Sequence, residues 1–239
     1  LSNFTDLDAL AAEPRVSVRW VTHPAELGDP DLVVLPGTKA TVADLGWLHD
    51  RGLGGAVASL LRSSRPPTVI GICGGFQMLG RSIVDESGVE ADPGTTPGLG
   101  LLPLDTTFVP GKQTVRRSGR VAGTGVSVDG YEIHHGVARV DAGAAWWFEL
   151  ESAGGIEREG VADVERAVYG TSLHGVFEGD EFRGRLLAAV ASRRGTVWCP
   201  SGVSFAAVRR AQFDRVADAC ETHLDLDGLW RIVGEGVLA

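Results

Sequence analysis

Residues 68–79 have the sequence TVIGICGGFQML, the strongest fold signal in the chain. The first five residues are apolar or β-branched without polar alternation, which is typical of a strand buried on both faces of a parallel sheet. Gly74 and Gly75 permit a tight turn, after which a helix can run through Leu79. The pattern therefore predicts a strand, a turn and a helix, with Cys73 at their junction.

Segments on both sides continue this alternation of strands and helices. We predict further strands at Ser17–Val21, Asp31–Leu35 and Ala167–Leu173, and helices at Leu53–Leu61, Asp180–Ser192 and Phe205–Leu224. Between residues 98 and 140, short candidate strands are separated by Gly, Pro and Asp, as in an antiparallel section. The order predicts an α/β fold with a doubly wound, mostly parallel sheet and an antiparallel section, in one domain over 1–239.

Composition limits the classes of partner. The 239 residues are 44% hydrophobic and 22% charged, enough for a substantial core, and the formal net charge is −9. Because an acidic surface repels phosphate backbones and anionic lipids, we expect neither nucleic acid nor membrane as a partner. The three cysteines are widely spaced and odd in number, and residues 1–14 lack the apolar core of a signal peptide. Both features favour a cytoplasmic protein.

Cys73 is the candidate nucleophile. It would lie at the exit of a buried strand, in a glycine-rich turn before a helix, which is the arrangement of a nucleophile elbow. The first turn of the helix would offer free N–H groups and a positive partial charge that favour the thiolate. The alternative is a buried structural cysteine, which we expect for Cys220 because it falls on the apolar face of a predicted helix.

A thiolate nucleophile needs an imidazole, and two positions can provide one. His174 ends a predicted strand, and strand ends of a parallel sheet meet at one edge, so it can lie beside Cys73. His134 and His135 form a second candidate. A histidine pair also raises a metal interpretation, but further ligands at helical spacing are missing and we expect no metal. The other three histidines are expected at the surface.

Residues 36–39, Pro-Gly-Thr-Lys, follow another predicted strand at the same edge. Backbone N–H groups of Gly37 and Thr38, together with that of Gly74, could form an oxyanion hole. The alternative is an ordinary strand-to-helix turn. Gly111-Lys112 does not extend to a phosphate-binding loop, because Thr106 and Gln113 stand where that motif needs Gly and Ser or Thr. The sequence therefore predicts no ATP site or other cofactor in this chain.

Several separated motifs together indicate a family. They are GICGGFQMLG at 71–80, YEIH at 131–134, GTSLHG at 170–175, LSNFTD at 1–6, LPGTK at 35–39, DLGWL at 44–48 and GLGLLP at 98–103. In this order they resemble the type 1 glutamine amidotransferase domain of the cobyric acid synthase family, over nearly the whole chain. The resemblance implies a class I glutamine amidotransferase fold, which is flavodoxin-like.

The resemblance also implies a reaction. Cys73 would attack the side-chain amide of L-glutamine, with Gly37, Thr38 and Gly74 holding the oxyanion. His174 would protonate the departing ammonia and then activate water, while Gln77 and His134 would position the substrate. The ammonia would pass to an N-terminal synthetase domain that uses ATP and magnesium to amidate a corrinoid, adenosylcobyrinic acid a,c-diamide.

The chain departs from the wider type 1 pattern at two points. Most type 1 amidotransferases have Glu two residues after the histidine, where this chain has Val176. The resemblance implies that Cys and His act without that acid, and Glu178 is not assumed to replace it. Second, the synthetase domain is missing and the chain starts at Leu1, so we expect a C-terminal part of a larger enzyme.

Three alternatives remain at this point. The first is a separate amidotransferase protein that supplies ammonia for amidation of a lipid-linked peptidoglycan precursor. The second is a cobyrinic acid a,c-diamide synthase, and the third is a catalytically silent regulatory domain that keeps the fold.

Overall fold

The computed structural model describes residues 4–235. The chain divides into two compact units, Leu1–Ser201 and Gly202–Ala239, which are described separately. The prediction of a single domain over 1–239 stays a prediction.

Within the described residues the first unit contains ten strands and five α-helices. The strands are β1 Leu32–Leu35, β2 Thr68–Ile72, β3 Ser82–Asp85, β4 Gly94–Pro97, β5 Leu104–Val121, β6 Ser127–Val140, β7 Trp146–Ser152, β8 Gly155–Asp163, β9 Val168–Thr171 and β10 Leu173–His174. The helices are α1 Asp8–Ala11, α2 Thr41–Asp50, α3 Leu53–Leu60, α4 Gly74–Leu79 and α5 Asp180–Arg193. Short 3-10 helices occur at Phe4–Leu7, Pro24–Glu26 and Val176–Glu178.

The strands form one curled sheet in the order β1-β2-β9-β8-β7-β5-β3-β4. β1, β2 and β9 are parallel, and β3 is parallel to β5. β7 and β8 are antiparallel to their neighbours, and the long β6 pairs with both β5 and β10. The predicted α/β fold with an antiparallel section is confirmed.

The parallel strands form the most deeply buried part of the unit. All five residues of β2 and all six of α4 are buried, which fits the apolar run in residues 68–79. Because β1, β2 and β9 run in the same direction, their carboxyl ends lie at one edge of the sheet. The loop after β1, the turn after β2 and the segment after β9 therefore start from neighbouring points.

The prediction of a strand at Ser17–Val21 is wrong. These residues form no strand, although they lie beside the edge strand β1 and line a cavity of about 860 Å³ with it. The Arg19 guanidinium donates hydrogen bonds to the carbonyls of Glu26 (2.8 Å) and Leu27 (3.1 Å). A β-branched pattern shows that a segment can pair, but a strand also needs a neighbour whose backbone groups it meets.

The second unit contains α6, Phe205–His223, and α7, Leu226–Glu235. The hydroxyl of Ser204 accepts a hydrogen bond from the N–H of Ala207 and caps α6, whose bounds agree with the predicted helix. The apolar face predicted for this helix is largely open, since Phe213 is 67% exposed. Cys220, predicted to be a core residue, is only half-buried. None of the helices within residues 4–235 has the length and apolar character needed to cross a membrane.

Candidate active site

Cys73 occupies a strained turn between β2 and α4. Its backbone φ is 50° and ψ is −108°, an unusual conformation for a residue with a side chain. The Cys73 N–H donates a 2.7 Å hydrogen bond to the carbonyl of Thr171, which ties the turn to the end of β9. A Cβ atom on Gly75 would lie 2.0 Å from the carbonyl oxygen of Leu35, so the turn needs glycine there. The local geometry is that of a nucleophile elbow.

His174 lies in the segment that follows β9, the strand that pairs with β2. His174 of β10 is paired with Tyr131 of β6. Their rings stack, with centroids 5.3 Å apart and an angle of 23° between the ring planes. The imidazole is 2% exposed and is hydrogen-bonded to the sulfur of Cys73. That sulfur lies 3.7 Å from the carbonyl oxygen of Ile133 in β6. The structure thus brings together the predicted nucleophile and the predicted imidazole.

The turn before His174 is held by a buried carboxyl group. Glu159 of β8 accepts a 2.6 Å hydrogen bond from the Thr171 hydroxyl and a 2.7 Å bond from the Ser172 N–H. These contacts fix the point at which β9 gives way to β10. The predicted strand Ala167–Leu173 is therefore divided in two, and the bend directs His174 toward Cys73.

Asp6 is a site residue that the sequence reasoning missed. Its carboxylate is 2% exposed, and Oδ2 lies 2.7 Å from Nδ1 of His174. Its other oxygen, Oδ1, accepts a 2.8 Å hydrogen bond from the N–H of Gly175. The signal lay in the LSNFTD motif at 1–6, but local spacing cannot relate a residue to another 168 positions later.

The charge state of His174 follows from its neighbours. Burial on its own would lower the pKa of the imidazole, but hydrogen bonds to Asp6 and Cys73 outweigh it and raise the pKa to about 9. Near neutral pH the ring therefore carries a proton beside the thiol and the carboxylate. Burial also raises the pKa of Tyr131, and the negative charges of Asp6 and Glu178 act in the same direction.

The predicted oxyanion groups lie next to this pair. A Cβ atom on Gly37 would stand 2.5 Å from Cε1 of His174, and a Cβ on Gly74 would stand 3.3 Å from the backbone nitrogen of Thr38. Gly37 thus lies against the His174 ring, and Thr38 lies against Gly74, the residue that follows Cys73. The Thr38 hydroxyl donates to Asp44 and accepts the Ala40 N–H, while the Thr38 methyl group lies against Gly74.

Gln77 lies on the first turns of α4, below the nucleophile. The side chain is 5% exposed, and its Oε1 accepts a 3.4 Å hydrogen bond from the hydroxyl of Thr41. A Cβ on Gly136 would stand 2.4 Å from Nε2 of Gln77, which places β6 against this amide. His134 belongs to β6 opposite Gln113, and its side chain lies outside the described part of the structure.

The remaining candidates lie elsewhere. His23, His49 and His223 are exposed, as predicted, and Cys199 is also exposed. Among the side chains that the structure describes, no three His, Cys, Asp or Glu residues form a group that could hold a metal ion.

The site combines a thiol in an elbow, an imidazole paired with a carboxylate, and nearby backbone N–H groups. These are the groups that acyl transfer through a thioester requires. On a parallel sheet edge, these features define the class of cysteine-dependent amide-cleaving enzymes.

Solved structures agree on the fold. A glutamine amidotransferase covers 80% of this chain and 92% of its own length, with a TM-score of 0.59 and 19% identity. A putative GMP synthase component from Thermoplasma acidophilum gives a TM-score of 0.52 at 16% identity over 80% of this chain and 87% of its own.

Sequence comparison defines the family. The model of the CobB/CobQ-like glutamine amidotransferase domain matches residues 1–182, and the chain belongs to this family. Cobyric acid synthase from Streptomyces avermitilis is 47% identical over 237 residues, which is 99% of this chain and 43% of that protein. Cobyric acid synthase from Saccharopolyspora erythraea is 48% identical over 242 residues, 100% of this chain and 44% of that protein. The chain thus spans less than half the length of these curated relatives.

Proposed function

We propose that this glutamine amidotransferase domain hydrolyses L-glutamine through a thioester on Cys73 and supplies the ammonia to an ATP-dependent synthetase domain. The observation that carries the proposal is the hydrogen-bonded pair of Cys73 and His174 at the mouth of the elbow. A strained nucleophile beside a protonated imidazole has no structural use in a core. It is the arrangement that makes a thiolate available at neutral pH.

In the first half-reaction the Cys73 sulfur attacks the side-chain carbonyl carbon of glutamine. The carbonyl oxygen gains negative charge, and the backbone N–H groups of Thr38 and Gly74, with the loop at Gly37, would stabilise it. His174 donates its proton to the amide nitrogen, the C–N bond breaks, and ammonia leaves. The products of this step are a γ-glutamyl thioester and a neutral imidazole.

In the second half-reaction the neutral His174 accepts a proton from water as the water oxygen attacks the thioester carbonyl. The C–S bond breaks, glutamate leaves, and the thiolate and imidazolium are restored.

Gln77 and His134 are proposed to position glutamine. The buried Gln77 amide packs directly against Gly136 of β6, the strand that also carries His134.

The proposal also includes the synthetic half of the reaction, in which the ammonia is used. The relatives named cobyric acid synthase are more than twice as long as this chain. We place in that additional length an N-terminal synthetase domain that uses ATP and magnesium. It would amidate adenosylcobyrinic acid a,c-diamide to adenosylcobyric acid in cobalamin biosynthesis, in the cytoplasm.

The alternatives receive less support. The relatives matched at 47% and 48% identity carry the cobyric acid synthase name, rather than that of a peptidoglycan-precursor amidotransferase or a cobyrinic acid a,c-diamide synthase. A silent regulatory domain has no chemical reason to keep the thiol, the imidazole and the strained turn together.

The test compares two nitrogen sources in the complete polypeptide that carries this chain. Amidation of the corrinoid is measured with ATP and magnesium, first with glutamine and then with ammonium chloride. Cys73→Ala should abolish the glutamine-dependent reaction, by about 10⁴-fold or more, and leave the ammonium-dependent reaction intact. Cys220→Ala, the matched control, should change neither.

Two results would refute the proposal. One is unchanged glutamine use by the Cys73→Ala protein. The other is a wild-type protein that amidates the corrinoid with ammonium but neither hydrolyses glutamine nor is labelled at Cys73 by an electrophilic glutamine analogue.

A further inference from the structure

The carboxylate of Asp6 has two partners at the site, one for each oxygen. Oδ2 lies 2.7 Å from Nδ1 of His174, and Oδ1 accepts the N–H of Gly175 at 2.8 Å. Both partners are donors when the Nδ1 atom carries hydrogen, and an ionised carboxylate is the side-chain group that accepts from both. Burial of Asp6 and His174 at 2% exposure removes water as a competing partner.

The segment that carries Asp6 is firmly attached to the first unit. Leu7, Ala9 and Leu10 are buried, with Ala9 fully so. Farther along, Glu13 accepts a 2.7 Å hydrogen bond from Nε of Arg183, and both side chains are at most 5% exposed. The same guanidinium donates to the carbonyl of Phe177 in the 3-10 helix that follows His174. The segment that carries Asp6 is therefore linked to the segment that carries His174 at two points, the Asp6–His174 contact and the Glu13–Arg183 pair.

We propose that Asp6 is the positioning acid of the site, which holds His174 in the tautomer and orientation that serve Cys73. This inference rests on the glutamine hydrolysis proposed above. The place that provides the acid in most type 1 amidotransferases is occupied by Val176, which is apolar and 1% exposed. Here the carboxylate comes instead from the beginning of the described chain.

The chemical role follows from the hydrogen-bond pattern. A hydrogen on Nδ1 donated to Asp6 leaves Nε2 for the sulfur of Cys73, so the ring can pass a proton to and from the reacting atoms. The carboxylate also stabilises the imidazolium, which must exist both before ammonia leaves and after the thioester is hydrolysed. Cys73 is the other titratable group that acts on this imidazole, the Tyr131 ring stacks on it, and Glu178 lies beside Gly175 and Tyr131.

Asp6→Asn separates this role from simple anchoring. His174 Nδ1 and the Gly175 N–H face different oxygens of Asp6, so after replacement of one oxygen by NH₂ only one of these donors still faces an acceptor. If the oxygen stays with Gly175, the amide nitrogen faces Nδ1 and forces the hydrogen onto Nε2, which then cannot accept the proton of Cys73 or of water. The variant changes no volume and should fold.

The experiment uses the complete polypeptide and measures glutamine hydrolysis as kcat and KM separately. We expect Asp6→Asn to lower kcat by about 10²–10⁴-fold with little change in KM. In a ¹⁵N-histidine NMR titration, the pKa of His174, about 9 in the parent, should fall by about one unit or more, as expected when a neighbouring carboxylate charge is removed. Asp6→Glu, which keeps the charge, should recover part of kcat.

Two matched variants serve as controls. Glu13→Gln lies on the same segment and breaks a pair of similar burial without touching His174, so it should lower stability but leave kcat and the His174 pKa unchanged. Glu178→Gln tests the acid nearest in sequence to His174 and should also leave both unchanged.

The outcomes separate the two proposals. A parent protein that does not hydrolyse glutamine refutes the proposed function itself. An active parent whose Asp6→Asn variant keeps kcat and the His174 pKa, or loses only stability as Glu13→Gln does, overturns the assignment of Asp6. A loss of kcat in Glu178→Gln equal to that in Asp6→Asn also overturns it.

Discussion

The two halves of the proposed active site are built in opposite ways. The nucleophile half is contiguous: β2, Cys73 and α4 occupy residues 68–79, and every residue of that strand and helix is buried. The histidine half is assembled from distant segments that carry Asp6, Tyr131 and His174. The first half is fixed by backbone geometry and close packing, whereas the second is fixed by hydrogen bonds and ring contacts between side chains.

This difference indicates where each half is vulnerable. In the elbow, a single added methyl group meets backbone atoms that cannot move, so damage appears as lost stability. Next to His174 a small added group is absorbed by side chains and should appear first as lost activity, whereas stability in this half depends on the buried pair of Arg183 and Glu13 farther out. Four substitutions test this contrast, in order of decreasing expected effect.

The largest effect is expected from the buried ion pair that secures the histidine half. Arg183→Met leaves the carboxylate of Glu13 buried without its partner, which should lower the free energy of unfolding by about 3–5 kcal/mol. Arg81→Met is the control, since Arg81 pairs with Asp105 and Asp141 at the surface and is 46% exposed. That change should cost no more than about 1 kcal/mol in urea unfolding, and equal costs for the two variants would contradict the prediction.

Next comes the elbow itself. Gly75→Ala places a Cβ 2.0 Å from the carbonyl oxygen of Leu35, which belongs to the backbone of β1. Overpacking of this kind should cost about 3 kcal/mol in the free energy of unfolding. Gly46→Ala in α2 has open space around its new methyl group and should be neutral or slightly stabilising. The free energies of unfolding of the two variants are compared by urea denaturation. Equal values would contradict the requirement for glycine at position 75.

A glycine-to-alanine change in the histidine half should lower activity more than stability. Gly37→Ala places a Cβ 2.5 Å from Cε1 of His174, a side-chain atom that can shift. We expect glutamine hydrolysis to fall by about 10–100-fold, equivalent to about 1.4–2.7 kcal/mol in the activation barrier. The loss of stability should be smaller than in Gly75→Ala. If Gly37→Ala instead loses stability and keeps full kcat, the two halves do not differ in this way.

The smallest effect concerns the ring that covers His174. Tyr131→Leu removes an aromatic contact at 5.3 Å, and pairs of this kind contribute about 0.5–1.5 kcal/mol. The expected result is a modest loss of kcat/KM, of a few-fold. Tyr131→Phe keeps the ring and should retain most of the activity, so an equal loss in both variants would assign the effect to the hydroxyl rather than to stacking.

Agreement between sequence and structure follows the range of the interactions. The bounds of β2 and α4 agree with the pattern in residues 68–79, because an apolar run and two glycines act locally. The strand predicted at Ser17–Val21 does not form, because strand formation depends on pairing with β1 that the segment itself cannot specify. In α6 the helix was predictable from its periodicity, but the exposure of Phe213 was not. Burial depends on what packs against a face, which periodicity does not reveal.

The sequence by itself predicted the elbow and indicated Cys73 as the proposed nucleophile; it left His174 and the His134–His135 pair as candidate imidazoles, of which the family resemblance favoured His174. Short-range sterics account for the elbow, and the common edge of parallel strands accounts for the nearness of the end of β9 to Cys73. Only the tertiary structure decided that Asp6 meets His174, because hydrogen bonding between side chains 168 positions apart depends on the path of the whole chain. The resemblance to type 1 amidotransferases pointed to Val176 as the place of a missing acid, whereas the folded chain provides a carboxylate from its first described turn.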